Sequence, residues 1–199
     1  MKFHFFLFAG LLWVLSCKDD LPPVFQGEIP ELGVDTVQTF LPCNRPESGT
    51  ASGIKISATW NATAECSSYE YLGKKYWTIE LLTCSEFDEF REDVFFQRIP
   101  DSHPKGFYAF TAHAYPLSEG YVKAGYARLA SDGDVLDDYY YVDTLSANDY
   151  LIIDKWDTLH KQIEGRFRVS FNIRQPRNNP ENPEKVKFWK GQFRLPLRE

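Results

Sequence analysis

Long hydrophobic runs, basic charge and recognisable catalytic motifs are all scarce in this chain of 199 residues. Its longest apolar run, Phe3 to Leu15, is interrupted only by His4. It falls short of the roughly 20 apolar residues that a spanning helix needs. Lys and Arg number 22 against 28 Asp and Glu, a net charge of −6. Nucleic acid recruits a basic face, so this balance excludes that partner. No GxSxG, HExxH or Walker-type sequence occurs, and Gly49-Thr50-Ala51-Ser52-Gly53 flanks its serine with glycines at the wrong spacing. His103, His113 and His160 lie far apart, and His113 reads as a packed or rim histidine on a strand. No catalytic residue can therefore be assigned, and no cofactor is implied. The four cysteines come without CxxC or HxxxH spacing, which argues against zinc. Asp132-Gly133-Asp134, with Asp137 and Asp138, offers hard oxygen ligands. Its spacing departs from an EF-hand loop and no Glu closes it, so a solvated turn is expected and no metal is assigned.

What is present begins at the N-terminus. Lys2 followed by the short apolar core reads as an export signal over residues 1–16. It ends in Val14-Leu15-Ser16-Cys17, which resembles a lipobox: Ser16 is small and the Cys17 thiol is the group that would receive diacylglycerol. Several acyl chains anchor durably where one does not, so Cys17 is expected to hold the chain to a membrane. Lys18-Asp19-Asp20 resembles the surface-export signal of Bacteroidetes lipoproteins, implying an outer-membrane, surface-exposed location in the cell envelope. Residues 17–36, with Pro22, Pro23 and Pro30, read as a tether.

Residues 37–199 then form one domain. Aromatic content of 16% with 12 Gly and 12 Pro suits a strand-rich, turn-rich fold. Alternation is clearest where Ile163, Gly165, Phe167, Val169, Phe171 and Ile173 share one face and Glu164, Arg166, Arg168, Ser170, Asn172 and Arg174 the other. Val186 and Phe188 lie on one parity and Phe193 and Leu195 on the other, so a bulge near Lys190-Gly191 would turn all four inward. Between them, Gln175 to Glu184 reads as a loop. Further strands are expected over 53–60, 75–83, 106–113, 120–129, 138–142 and 150–153. Ser85 followed by Asp88 resembles a capping box that could open a helix carrying Phe87, Phe90, Val94 and Phe95. The fold class expected is all-β, an antiparallel meander closing into a barrel or a two-layer sandwich.

With Cys17 lipidated, Cys43, Cys66 and Cys84 remain as disulfide candidates, and one bond with one free thiol is expected. A bond from Cys43 would pin the end of the tether. Between Asp132 and Asp157 lie eight Asp against one Lys, and from Lys161 onward ten Lys and Arg against four Glu. Pairing of the two segments as neighbouring strands would make them complementary.

The run from Asp149 to Asp154, then Ile163 to Phe171, then Val186 leading to Gly191-Gln192-Phe193, resembles the C-terminal half of uncharacterised Bacteroidetes envelope lipoproteins, with their "sGxFxF" strand and closing "GxF" strand. Trp60-Asn61-Ala62 is similar to their "WxA" element and Gly106-Phe107-Tyr108 to their "GxY" element. The resemblance favours strand over 94–99, with Phe87 and Phe90 on a short preceding helix or loop. It implies no activity. Asp35-Thr36-Val37, Asp143-Thr144-Leu145 and Asp157-Thr158-Leu159 resemble the O-glycosylation sequon of such envelopes, making Thr36, Thr144 and Thr158 candidate acceptors. Two functions are weighed. One is a non-enzymatic module that binds glycan, peptide or another envelope protein through exposed aromatics such as Tyr139-Tyr140-Tyr141; the other is a carbohydrate-active hydrolase using Asp137 or Asp138 with Glu164.

Overall fold

The structure is a computed structural model and describes residues 40–111 and 120–198. The export signal, Cys17, the tether with Thr36, the expected domain start at residue 37 and His113 lie outside the described residues. Within them there is no helix, and eleven strands follow in order: β1 (Leu41–Pro42), β2 (Gly49–Lys55), β3 (Ala58–Tyr71), β4 (Lys74–Cys84), β5 (Phe90–Pro100), β6 (Gly106–Thr111), β7 (Tyr121–Leu129), β8 (Leu136–Val142), β9 (Tyr150–Asp157), β10 (Gln162–Ile173) and β11 (Lys185–Pro196). Hydrogen-bonded neighbours run from β4 through β3, β2, β11, β10, β9, β6, β7 and β5 back to β4, a closed nine-strand barrel. Pairing is antiparallel throughout except between β6 and β7. Strand β8 bridges β10 and β7 at one end, and β1 lies beside the last residues of β4.

The barrel closes because one face of nearly every strand is apolar. On β10 all six residues expected to point inward are buried, from Ile163 to Ile173. The interior is filled by rings: Trp60 meets Phe188 at 5.0 Å, Phe96 meets Phe167 at 5.3 Å and Tyr126 meets Tyr140 at 4.8 Å between centroids. Each such side chain removed from water contributes roughly 1.5–3 kcal/mol. The bulge is where the alternation places it. The register shifts between Trp189 and Gln192, and Lys190 takes φ +52, so Val186, Phe188, Phe193 and Leu195 all face inward and are buried. Gly191 is required there, since a Cβ would come within 2.5 Å of the Phe167 ring.

Three expectations are corrected. The strand expected over 53–60 is two strands, β2 and β3, with a turn at Ile56-Ser57 where Ile56 takes φ +56. Most of β3 carries no strong apolar signal, because its buried face is Trp60, Ala62, Ala64 and Cys66 and three of these are small. Ser85 opens no helix: its hydroxyl accepts from the Phe87 and Glu89 amides at 3.2 and 3.3 Å, closing the β4–β5 turn. Phe87 is exposed on that turn, and Phe90, expected ahead of the strand, already opens β5, which contains the strand expected over 94–99.

Candidate functional site

One end of the barrel gathers cations and aromatic rings into a cleft of about 780 Å³. The β3–β4 turn places Leu72 and Gly73 at φ +49 and +72, the paired left-handed geometry of a tight hairpin. It delivers Lys74, Lys75 and Tyr76 to the rim, where Tyr76 stacks on Tyr69, its cross-strand partner, at 5.9 Å. The end of β5 adds Arg98, and the loop to β6 adds Asp101, His103 and Lys105. That loop is tied down. Trp77 donates its indole N–H to Asp101 at 2.7 Å, and Tyr108 donates its hydroxyl to the His103 carbonyl at 2.6 Å. Burial pushes the Tyr108 phenol up to about 12, so it stays a neutral donor. Phe107 from β6 and Tyr121 from β7 add rings to the lining, 48% and 43% exposed, with Phe107 resting on Tyr150 at 6.2 Å. Strand β4 separates this rim from its own last residue, Cys84, by about 33 Å at roughly 3.3 Å per residue.

A second concavity of about 670 Å³ lies on the outer face of β2, β3, β9, β10 and β11. Its charged groups are paired with one another. Arg166 grips Asp154 through two bonds of 2.9 Å, Arg194 faces Glu164 at 3.7 Å, and Gln192 donates to Ser52 at 3.1 Å. A ligand there would have to displace these partners.

No family model, curated protein or solved structure matches this chain.

The sequence-derived candidates fall in scattered places. Cys43 and Cys84 are bonded to each other with Cα atoms 4.9 Å apart, and Cys66 is a buried free thiol. Burial pushes the Cys66 thiol up. Cys43, Cys84 and Asp88 lie close together, but the disulfide consumes both sulfurs and Asp88 accepts from the Asn44 amide at 2.8 Å. Asp138 is buried, accepting from the Asn178 amide at 2.8 Å and the Asn182 side chain at 2.6 Å; Asp137 accepts from Asn182 at 2.8 Å. Both clasp the β10–β11 loop. The structure does not bring them to Glu164: β8 joins β10 at Ile173, about 30 Å along the strand from Glu164. Asp132 turns its own loop, accepting from the Asp134 and Val135 amides at 3.2 Å. Of the tyrosine triplet, Tyr140 is buried and donates to the Pro183 carbonyl at 2.9 Å, and Tyr139 packs outward against Phe95 at 6.2 Å. Only Tyr141 is exposed, so that run is not the aromatic patch expected. Charge complementarity does appear between neighbouring strands at Arg166–Asp154, and Arg168 reaches Asp149 at 3.8 Å. Thr144 and Thr158 are exposed on turns flanking β9, each beside a nearly bare leucine, Leu145 at 91% and Leu159 at 83%.

A buried polar cluster escapes the sequence reading. Inside the barrel the Lys55 ammonium donates to Glu92, which also accepts from the Tyr126 hydroxyl at 2.7 Å and from Thr83 at 3.3 Å. Burial lowers the Lys55 ammonium against the opposing pull of Glu92, and raises the Tyr126 phenol. The available signal was parity: Glu92 shares a face with Val94 and Phe96, and Lys55 with Ala51.

Proposed function

We propose that this chain is a cell-envelope lipoprotein, held by lipid on Cys17 at the outer membrane and exposed at the surface, whose barrel is a non-enzymatic binding module. The observation that supports binding is the cleft beside Lys74, Lys105, Phe107 and Tyr121, where exposed ring faces and an excess of cations meet in one concavity. Ligand sites of this size, about 300–1,000 Å³, combine apolar walls with a few placed polar groups. Support for the anchor comes from the lipobox resemblance and from the likeness to Bacteroidetes envelope lipoproteins. The first described strand, β1, lies beside the Cys84 end of β4, the end of that strand away from the cleft.

Affinity electrophoresis of the full chain through gels containing different polysaccharides tests the reading. Retardation by a glycan is expected for the natural chain and is lost when Phe107 and Tyr121 are both changed to Ala. Migration unaffected by every glycan and by added envelope peptides, or release of shortened sugars from the gel, overturns it. Incorporation of labelled palmitate that stops in Cys17→Ala tests the anchor; continued labelling of that variant overturns it.

A further inference from the structure

We infer that the ligand of this cleft is an acidic saccharide, a sugar chain bearing carboxylate or sulfate groups; the inference rests on the binding-module reading and narrows it. Two kinds of surface converge there. Among the described residues, Lys74, Lys75 and Lys105 are set against a single lining carboxylate, Asp101, which already accepts the Trp77 indole N–H at 2.7 Å and faces Lys75 at 3.8 Å. The whole chain carries −6, so this local excess of cations runs against its composition. The other surface is aromatic, since Phe107 and Tyr121 leave about half of their area open to water beside those cations.

Each half of the arrangement excludes a simpler ligand. A neutral sugar would stack on the rings, yet it would cover ammonium groups without supplying an anion, and covering an unpaired charge is costly. A bare anion would pair with the lysines and gain nothing from the rings. A membrane surface is broad and flat, whereas this site is a concavity of about 780 Å³, the size of a discrete ligand. A sugar ring with an acidic substituent satisfies both halves: its C–H face lies on an aromatic ring while its edge accepts hydrogen bonds from the cations. The groove on the outer face of β10 and β11 offers no such match, because its arginines are already paired with Asp154 and Glu164.

Calorimetric titration of the full chain in a neutral detergent tests the assignment with five probes: a galacturonate tetrasaccharide, a chondroitin sulfate tetrasaccharide, a neutral galactan tetrasaccharide, sodium sulfate and dihexanoyl phosphatidylglycerol. At least one acidic tetrasaccharide is expected to bind, more weakly as salt rises and the screening length shrinks from about 30 Å at 0.01 M to about 3 Å at 1 M. Lys74→Glu and Lys105→Glu should each weaken it about tenfold, Phe107→Ala should weaken it comparably, and Lys185→Glu, on an exposed residue of β11, should leave it unchanged. If the neutral tetrasaccharide binds as tightly and the lysine reversals do nothing, the acidic assignment is wrong while the binding module stands. If sulfate or the lipid headgroup binds as tightly and ignores Phe107→Ala, the site recognises a bare anion or a lipid and the assignment is equally wrong. No binding by any probe removes it too, and retardation in the electrophoresis above then decides whether the broader reading survives.

Discussion

Lys55 and Glu92 come from strands 37 residues apart and form an ion pair closed off from water inside the barrel. Taking two charges out of water costs several kcal/mol per ion, and the cost is recovered only with good geometry and further hydrogen bonds. Tyr126 and Thr83 supply those bonds. Glu92→Gln should therefore destabilise the domain by about 3–5 kcal/mol, because it leaves a buried ammonium without its counter-charge. The double change Lys55→Met with Glu92→Leu should cost less than either single one. Urea midpoints check this, and additive single and double effects would contradict it.

Asp93 sits on the outer side of β5 with its Oδ1 atom covered and without a partner among the described residues. Burial, aided by the Glu80 carboxylate, raises it to about 7 from an ordinary 3.8. Glu80 is itself raised, by burial and by Glu65, its direct cross-strand neighbour. A carboxyl raised on folding adds stability that is fully present below its unfolded value and is lost as pH climbs through the folded one. Unfolding free energy should fall between pH 4 and pH 8, by up to about 4 kcal/mol from Asp93. Asp93→Asn should flatten most of that slope, and a variant as pH-sensitive as the parent would refute the assignment.

The Cys43–Cys84 bond closes a loop of 41 residues and ties the chain just after β1 to the end of β4. Constraint of the unfolded chain on that scale is worth about 4 kcal/mol. Cys43→Ser and Cys84→Ser should each lower stability by a similar amount, while Cys66→Ser should behave differently because it breaks no cross-link. Alkylation of the unfolded, unreduced domain should label Cys66 alone. Labelling of all three cysteines would show that the bond does not form.

Phe167 lies over Gly191 in the barrel interior. Phe167→Ala should cost about 3–5 kcal/mol, and Gly191→Ala should also destabilise, since the new methyl meets the ring. Arg166→Ala, which removes an exposed pair with Asp154, should cost under about 1 kcal/mol. Denaturation midpoints in the reverse order would mean that the register of β10 is wrong by one residue.

Thr144 and Thr158 stand on exposed turns that leave room for a bulky group. Asp143 and Asp157 shape those turns by accepting the Leu145 and His160 amides at 3.1 and 2.8 Å. Intact-mass and peptide spectra of the protein from its own cells should show sugar on these two threonines. The same peptides at unmodified mass would refute the expectation, drawn from the sequon resemblance, that Thr144 and Thr158 are acceptors.

What the sequence determined by itself is the part of the fold governed by local periodicity. Side chains of a strand alternate between faces, so the buried set of β10 and the bulge at Lys190-Gly191 are legible from parity alone. One bond with one free thiol among Cys43, Cys66 and Cys84 was legible as well, whereas the pairing of Cys43 with Cys84 rather than Cys66 depends on which strand lies beside β1. Tertiary structure decided the rest. Strand β3 fills its inner face with Ala62 and Ala64 while Phe188 of β11 and Phe167 of β10, two and three strands along the sheet, pack on Trp60 in the interior. Ser85 could cap a turn as readily as a helix, and pairing of β4 with β5 selected the turn. The buried Lys55–Glu92 pair joins residues 37 apart, and the cleft joins rim residues of the successive strands β4 to β7. Parity marks Lys55 and Glu92 as inward-facing without naming their partners, and nothing local marks the cleft, because only the sheet closing into a barrel decides which strand ends meet.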